Sequence, residues 1–280
     1  MSEGAGFGPD GLGRALVLTF DNLGEASELQ RGTWPPDTPP GRHPSVTQAL
    51  PRLLDELDAH GLTATFFVEA INCELNPQAL HEIAARGHEL GVHGWRHEPW
   101  AQLPADRERE LLQRSTEAFR ELGLDACGFR PPGGELTERS EALLGERGLT
   151  WCSPLGGTPT IRGDLALVPF DWELVDAYHL MERFGELRTR RGDPAATMPA
   201  DELADRFAAA LADGAGGDRD GVQTLILHPF LMLDEAWWTA VTRLLMLIEA
   251  LSHAGHMWVV PGGRFADWLR EPTRSRVRDQ

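Results

Sequence analysis

The sequence predicts an α/β fold in which strands and helices alternate and close as an irregular barrel of the (β/α)7 type. Three observations predict it. Short apolar, β-rich runs alternate with amphipathic stretches of roughly 10 to 20 residues, and the pair recurs about six or seven times. Polar side chains recur at the ends of the apolar runs, where parallel α/β folds collect their chemistry.

In chain order, "ALVLTF" (15–20) is the first strand. "SVTQALPRLLDELDAHG" (45–61) is a helix, with Val46, Leu50, Leu53, Leu54 and Leu57 on one face and Gly61 as its stop. "TATFFV" (63–68) is a strand, and "NPQALHEIAARG" (76–87) a helix with an Asn cap and Pro at its first position. A short strand "HELGVH" (88–93) precedes the amphipathic helix "PADRERELLQRSTEAFRELG" (104–123), whose "RERE" run is a solvated face. "ACGFR" (126–130), the helix "LTERSEALLGERG" (136–148) and "LTWCS" (149–153) follow. A Gly, Asp and Pro-rich segment then leads to "LALVPF" (165–170). The helix "ADELADRFAAALADG" (200–214) precedes the buried strand "VQTLILH" (222–228) and the longest helix, "DEAWWTAVTRLLMLIEALSHAG" (234–255). "HMWVV" and "GGRFADWL" close the domain. One domain over 1–280 is expected, with a flexible segment 1–13 and a frayed tail 271–280. Of two breaker-rich loops, "RGTWPPDTPPGRHP" is long enough to border a site and "DGAGGDRDG" reads as a solvated turn.

Composition narrows the function. The 43 acidic residues exceed the 26 basic ones, giving a net charge of −17 that argues against nucleic-acid or anionic-membrane partners. The chain has no lysine, which excludes Schiff-base chemistry and a P-loop lysine. Arginine and alanine in place of lysine and isoleucine reflect a GC-rich, bacterial-type composition. No basic and apolar leader opens the chain, and no apolar run reaches about 18 residues, so a cytoplasmic protein is expected. Cys73, Cys127 and Cys152 lack CxxC spacing and read as unpaired core thiols.

The strand ends carry the candidates: Asp21 and Asn22, His93, Arg130, Asp171 and His228. His93 and His97 in "HGWRH" sit at i and i+4 and suit zinc, cobalt or nickel as neutral imidazoles. His228 suits a general acid, because imidazole titrates near neutrality. Arg130 needs a partner at a buried strand end, and Asp171 is the expected one. His81 and His88 read as structural, and Trp237 and Trp238 as packing or an oligomer surface.

The ordered motifs "TFDN", "HGWRH", "RPPGG", "FDW" and "LILH", from Thr19 to His228, resemble the polysaccharide deacetylase family, carbohydrate esterase family 4 with its NodB homology domain. The phrases "GHELGVHGWRHE" and "VPFDWELVDA" look most like its intracellular allantoinase-like and cyclic-imide-hydrolysing branch, whose members form compact oligomers. The resemblance implies a NodB-like barrel, Asp21 as general base, His93 and His97 as metal ligands and His228 as the acid for the leaving amine. It also implies that Arg130, held by Asp171, orients the base, and that the Gly133 N–H is an oxyanion donor. Glu25, Trp95, Pro132, Gly133 and Trp172 are the expected substrate contacts.

This sequence departs from the family at three places. Asn22 stands where the family has a metal-binding aspartate, and Glu25 is the expected substitute for the missing ligand charge. Gly94 replaces a Ser or Thr. Gly133 replaces an aromatic after Pro132, which argues against a stacked sugar polymer. The expected function is metal-assisted, zinc-type hydrolysis of a non-peptide C–N bond (EC 3.5.1 type), deacylating an amino-sugar or related small N-acyl metabolite. The rivals are a cyclic-amide hydrolase (EC 3.5.2 type), which need not use metal, and a binding protein whose site has decayed at Asn22.

Overall fold

A computed structural model describes residues 8, 9, 12, 14–213 and 221–271. Apart from residues 8, 9 and 12, the expected flexible segment 1–13 lies outside them, as do the expected tail beyond Glu271 and residues 214–220 of the expected turn. No helix among the described residues is long and apolar enough to cross a membrane.

Strand β1 (Ala15–Asp21) leads to α1 (Ala26–Arg31), then a π-helical turn (Ser45–Ala49) runs directly into α2 (Leu50–Ala59). β2 (Thr65–Val68), α3 (Asn72–Leu75), α4 (Pro77–Ala85), β3 (Glu89–Val92) and α5 (Ala105–Glu121) follow. Next come β4 (Gly128–Phe129), α6 (Ser140–Glu146), β5 (Trp151–Cys152), β6 (Thr160–Arg162) and β7 (Leu165–Leu167). The chain continues through α7 (Asp176–Leu180), α8 (Gly185–Arg191), α9 (Ala200–Asp213), β8 (Val222–Leu227), α10 (Glu235–His253), β9 (Trp258–Val260) and α11 (Gly262–Arg270). Pro77 does open α4, but the Asn76 side chain donates to Asn72 Oδ1 instead of capping the helix. The hairpin strand β6 and helices α7 and α8 are absent from the sequence reading.

The strands form one nine-stranded sheet, ordered β6-β7-β5-β4-β3-β2-β1-β8 with β9 also on β1. All pairings are parallel except β6 with β7. One edge of β1 is shared: Ala15–Val17 pair with β9, and Thr19–Asp21 pair with β2. The other edge pairs with β8 along Ala15–Phe20. The sheet curls into an irregular barrel that closes without a continuous ladder. A single parallel bridge, Val175 to Ile226, and a hydrogen bond from Thr224 Oγ1 to the Pro169 carbonyl at 2.8 Å join its ends.

Period-2 alternation sorts the strand residues. Leu16, Leu18, Phe20, Phe66, Val68, Leu90, Val92, Phe129, Cys152 and Leu225 face the helices and form the large outer core. Ala15, Val17, Phe67, Trp151, Ala166, Val168 and Val260 fill the interior, with Phe265 of α11 packed among them. Glycines make room for the two large rings: a Cβ on Gly128 would lie 2.3 Å from Trp151, and one on Gly91 2.5 Å from Phe67. The same inward parity, continued upward, delivers Thr19 and Asp21, His93, Arg130, Ser153 and His228 to the mouth of the barrel.

Candidate active site

Arg130 is the electrostatic centre. It is 1% exposed, and its Nη1 donates to Asp21 Oδ1 at 2.6 Å and to Thr19 Oγ1 at 2.8 Å. Nε and Nη2 both reach Ser153 Oγ, at 3.2 and 2.9 Å, and the guanidinium lies 4.2 Å from the Phe67 ring centroid. Burial lowers the Arg130 pKa, and the Asp21 charge opposes that shift. Asp21 therefore holds its guanidinium through one oxygen and keeps Oδ2 without a partner among the described residues, on the wall of a cavity of about 160 Å³.

The expected Asp171–Arg130 pair does not form. Asp171 sits outside the inward layer, caps the turn at Trp172–Leu174 by accepting the Glu173 N–H, and pairs with Arg191 at 2.9 Å. The carboxylate that sequence reading missed is Asp176. The Val175–Ile226 bridge brings it, fully buried, beside His228. Its Oδ1 accepts His228 Nδ1–H at 2.5 Å and the Ala177 N–H at 2.6 Å. Its Oδ2 accepts the His228 N–H at 2.8 Å and Trp237 Nε1–H at 3.3 Å. Thus Trp237, read as packing, also fixes this carboxylate. Nδ1 is committed, so Nε2 is the nitrogen His228 can present to the cavity that it lines.

His93 and His97 meet edge to face, with ring centroids 5.0 Å apart. His93 Nδ1–H donates to the Arg130 carbonyl at 2.8 Å, which leaves the Nε2 lone pair available. Burial pushes His93 down to about 3, and burial followed by the nearby His93 pushes His97 well below the ordinary imidazole range. Both rings are therefore neutral at physiological pH, the form that ligates a metal. The two positive-φ residues other than glycine among the described residues are Asn22 (φ 60) and His97 (φ 72), both on this cavity. Gly94 explains itself locally: its φ is 73, and a Cβ would lie 3.0 Å from Glu98, whose carboxylate ties the Trp95 and Arg96 N–H groups into the turn.

Asn22 Oδ1 is buried without a hydrogen-bond partner, an orphaned acceptor of a residue that lines the same cavity as the imidazole pair. Two neutral imidazoles and an amide oxygen fit a borderline divalent cation, with no ligand charge. No group of three or more His, Cys, Asp or Glu gathers for a metal among the described residues. Glu25 does not supply the charge. The chain turns at Asn22 and Gly24, and the fully buried Glu25 carboxylate goes to the Gly41 N–H, away from the cavity lining.

Of the other expected contacts, Gly133 and Trp172 line the cavity. Gly133 (φ 84) has an N–H without a partner among the described residues, as an oxyanion donor requires. Pro132 lines an adjoining groove, and its place on the cavity wall is taken by Pro131. Trp95 is a core residue under Arg114, 3.6 Å from guanidinium to centroid. Cys73, Cys127 and Cys152 are free thiols.

Glu69, directly after β2, also escaped the sequence reading. It is fully buried, with Oε2 accepting the Leu23 N–H at 3.2 Å and Oε1 unpartnered. Burial pushes its carboxyl up to about 8, against backbone hydrogen bonds that favour the anion. Between 4.5 and about 8 the folded protein keeps a proton that the unfolded chain releases, so Glu69 lowers stability as pH rises through that window. Glu69→Gln removes this dependence. In denaturant melts the variant should gain about 3 kcal/mol over the parent between pH 5 and pH 8. An equal difference at both pH values would show that the carboxyl is not raised.

The chain is similar to known proteins in sequence and in fold. The polysaccharide deacetylase family matches residues 10–151, just over half of the chain. A peptidoglycan-N-acetylglucosamine deacetylase of Bacillus cereus is 36% identical over 89 residues, 31% of this chain and 32% of that protein. The matched region thus spans about a third of that curated relative. The solved structure of a candidate polysaccharide deacetylase from Mycobacterium smegmatis superposes with a TM-score of 0.79 at 26% identity, covering 95% of this chain and 93% of that one. The structure of Puue allantoinase superposes at 0.69 and 17% identity, over 93% and 91% of the two chains, a likeness of fold.

Proposed function

The chain belongs to the polysaccharide deacetylase family, and from that premise we propose that it hydrolyses the amide bond of a small N-acyl compound, an amino-sugar or related metabolite, at the barrel mouth. The observation that carries this reading is the pairing, in one cavity, of a carboxylate with a free oxygen and an imidazole held by a buried carboxylate. Asp21 Oδ2 takes the proton of the attacking water, while Arg130 fixes the carboxylate through Oδ1. The Gly133 N–H receives the oxyanion. His228 Nε2 then gives a proton to the leaving amine, and Asp176 accepts from Nδ1 throughout, which keeps the ring oriented. A divalent cation held by His93, His97 and the Asn22 amide oxygen would polarise the carbonyl and acidify the water. A cavity of about 160 Å³ suits a small molecule.

Release of acetate or amine from a panel of small N-acetyl compounds, with the protein given zinc or cobalt, tests the reading. No turnover together with tight ligand binding would favour the binding-protein alternative. The charge-free donor set favours one second reading, opening of a cyclic amide, and chelator-resistant ring opening would select it. Asn22→Asp restores ligand charge at a residue whose left-handed backbone also suits aspartate. It should tighten zinc binding about tenfold or more in calorimetric titration of metal-stripped protein. Unchanged affinity would remove Asn22 from the ligand set.

A further inference from the structure

Two guanidiniums line the cavity, those of Arg130 and Arg183. Arg130 is fully engaged, whereas Arg183 has no acidic or hydrogen-bonding partner among the described residues; its guanidinium lies 5.1 Å from the Phe184 ring centroid. Two of the three arginines on α8 are engaged. Arg188 is spent on the carbonyls of Tyr178, Met181, Pro194 and Ala195, and Arg191 on Asp171. Arg31, at the end of α1, also lacks an acidic partner and bonds only the Ser27 hydroxyl. Arg183 is an exposed residue that also lines the cavity, and its partial burial there, followed by the like charge of Arg31, pulls it below the ordinary arginine range. A chain with 43 acidic and 26 basic residues thus leaves a cation unneutralised where a ligand enters. The adjoining walls, Trp172, Phe184 and Phe170, are aromatic.

We propose that Arg183 binds a carboxylate of the substrate, so that the preferred substrates are small N-acyl amino acids in place of neutral N-acetyl sugars. A guanidinium presents paired N–H donors that match the two oxygens of one carboxylate, and a single guanidinium suits a monoanion. The scissile amide then lies toward Asp21 and His228, and the amino-acid side chain against the aromatic walls. The identity of the reaction rests on the amide-hydrolase reading above, but the binding of the carboxylate does not.

Two measurements separate the two. In calorimetric titration at low salt, N-acetylalanine should bind the zinc-supplemented protein about tenfold or more tighter than N-acetylalaninamide, which lacks only the charge. The preference should shrink in high salt. Arg183→Gln should erase it while leaving the affinity for the neutral amide within about threefold, and Arg183→Lys should restore part of it. Equal binding of the two probes, binding of neither, or a preference that survives Arg183→Gln overturns the proposal. Turnover is read independently: carboxylate-selective binding without amine release from N-acetylalanine would sink the amide-hydrolase reading and leave the carboxylate site standing.

Discussion

Asp21→Asn should lower turnover about a thousandfold or more and lower the melting temperature with it. The first effect follows from the loss of the proton acceptor on the cavity wall. The second follows from Arg130, whose guanidinium is 1% exposed and whose one carboxylate partner among the described residues is Asp21. Leaving a buried cation unpaired costs about 3–5 kcal/mol, at the lower end here because the amide oxygen still accepts one N–H. The two effects separate in a double variant. Asp21→Asn with Arg130→Met removes both charges and should recover much of the lost stability while activity stays abolished. Turnover must be measured below the melting point of the single variant. Normal activity in Asp21→Asn would end its assignment as base.

Asp176→Asn should reduce kcat about a thousandfold with KM little changed, by the logic of an oriented imidazole. All four hydrogen bonds to this carboxylate are donated to it: two by His228, one by Ala177 and one by Trp237. An asparagine must turn its NH₂ toward one pair of those donors. If the amide faces Nδ1, the imidazole proton moves to Nε2 and the ring loses the anion that supports its charged form. If it faces the other way, the His228 N–H and the Trp237 indole lose their acceptor, at about 1–3 kcal/mol for each buried group left unmade. Steady-state kinetics with circular dichroism distinguishes these outcomes. Full kcat in a folded Asp176→Asn protein would show that His228 does not act as an oriented proton donor.

Strands buried on both faces were readable in the sequence, because β1, β2 and β8 are largely apolar runs, and β1 ends on Asp21 while β8 runs directly into His228. The positions of Asp21, His93, Arg130 and His228 on one cavity follow from that pattern and from inward parity. Strand β6 was not readable, since its three residues are half-exposed or exposed and lie among glycines and prolines. Asp176 was missed for a related reason: barrel closure is one bridge at Val175, which leaves no strand pattern to mark the residue after it. Glu25 and Trp95 were misjudged because adjacency in sequence to Asn22 and His93 does not carry a side chain through a left-handed turn. Asn22 and Gly24 redirect the first, and Gly94 the second. Arg183 had no signal at all, since its place on the cavity wall depends on helices the pattern did not show.

The shared edge of β1 has a consequence for the order in which the molecule can be assembled. The strand that carries Asp21 is completed by β8 and β9, and the Thr19 hydroxyl that receives Arg130 is itself held by the Leu225 carbonyl, 206 residues away. A nascent chain that has emerged only through β7 possesses the aspartate, both metal-type histidines and the arginine, but neither neighbour that pins the strand of the aspartate along its first half. Such high contact order makes folding slow, and chemistry-bearing groups are exposed before they are aligned. Assembly of the cavity is thus tied to synthesis of the last strand, so that a partial chain holds these side chains without their alignment.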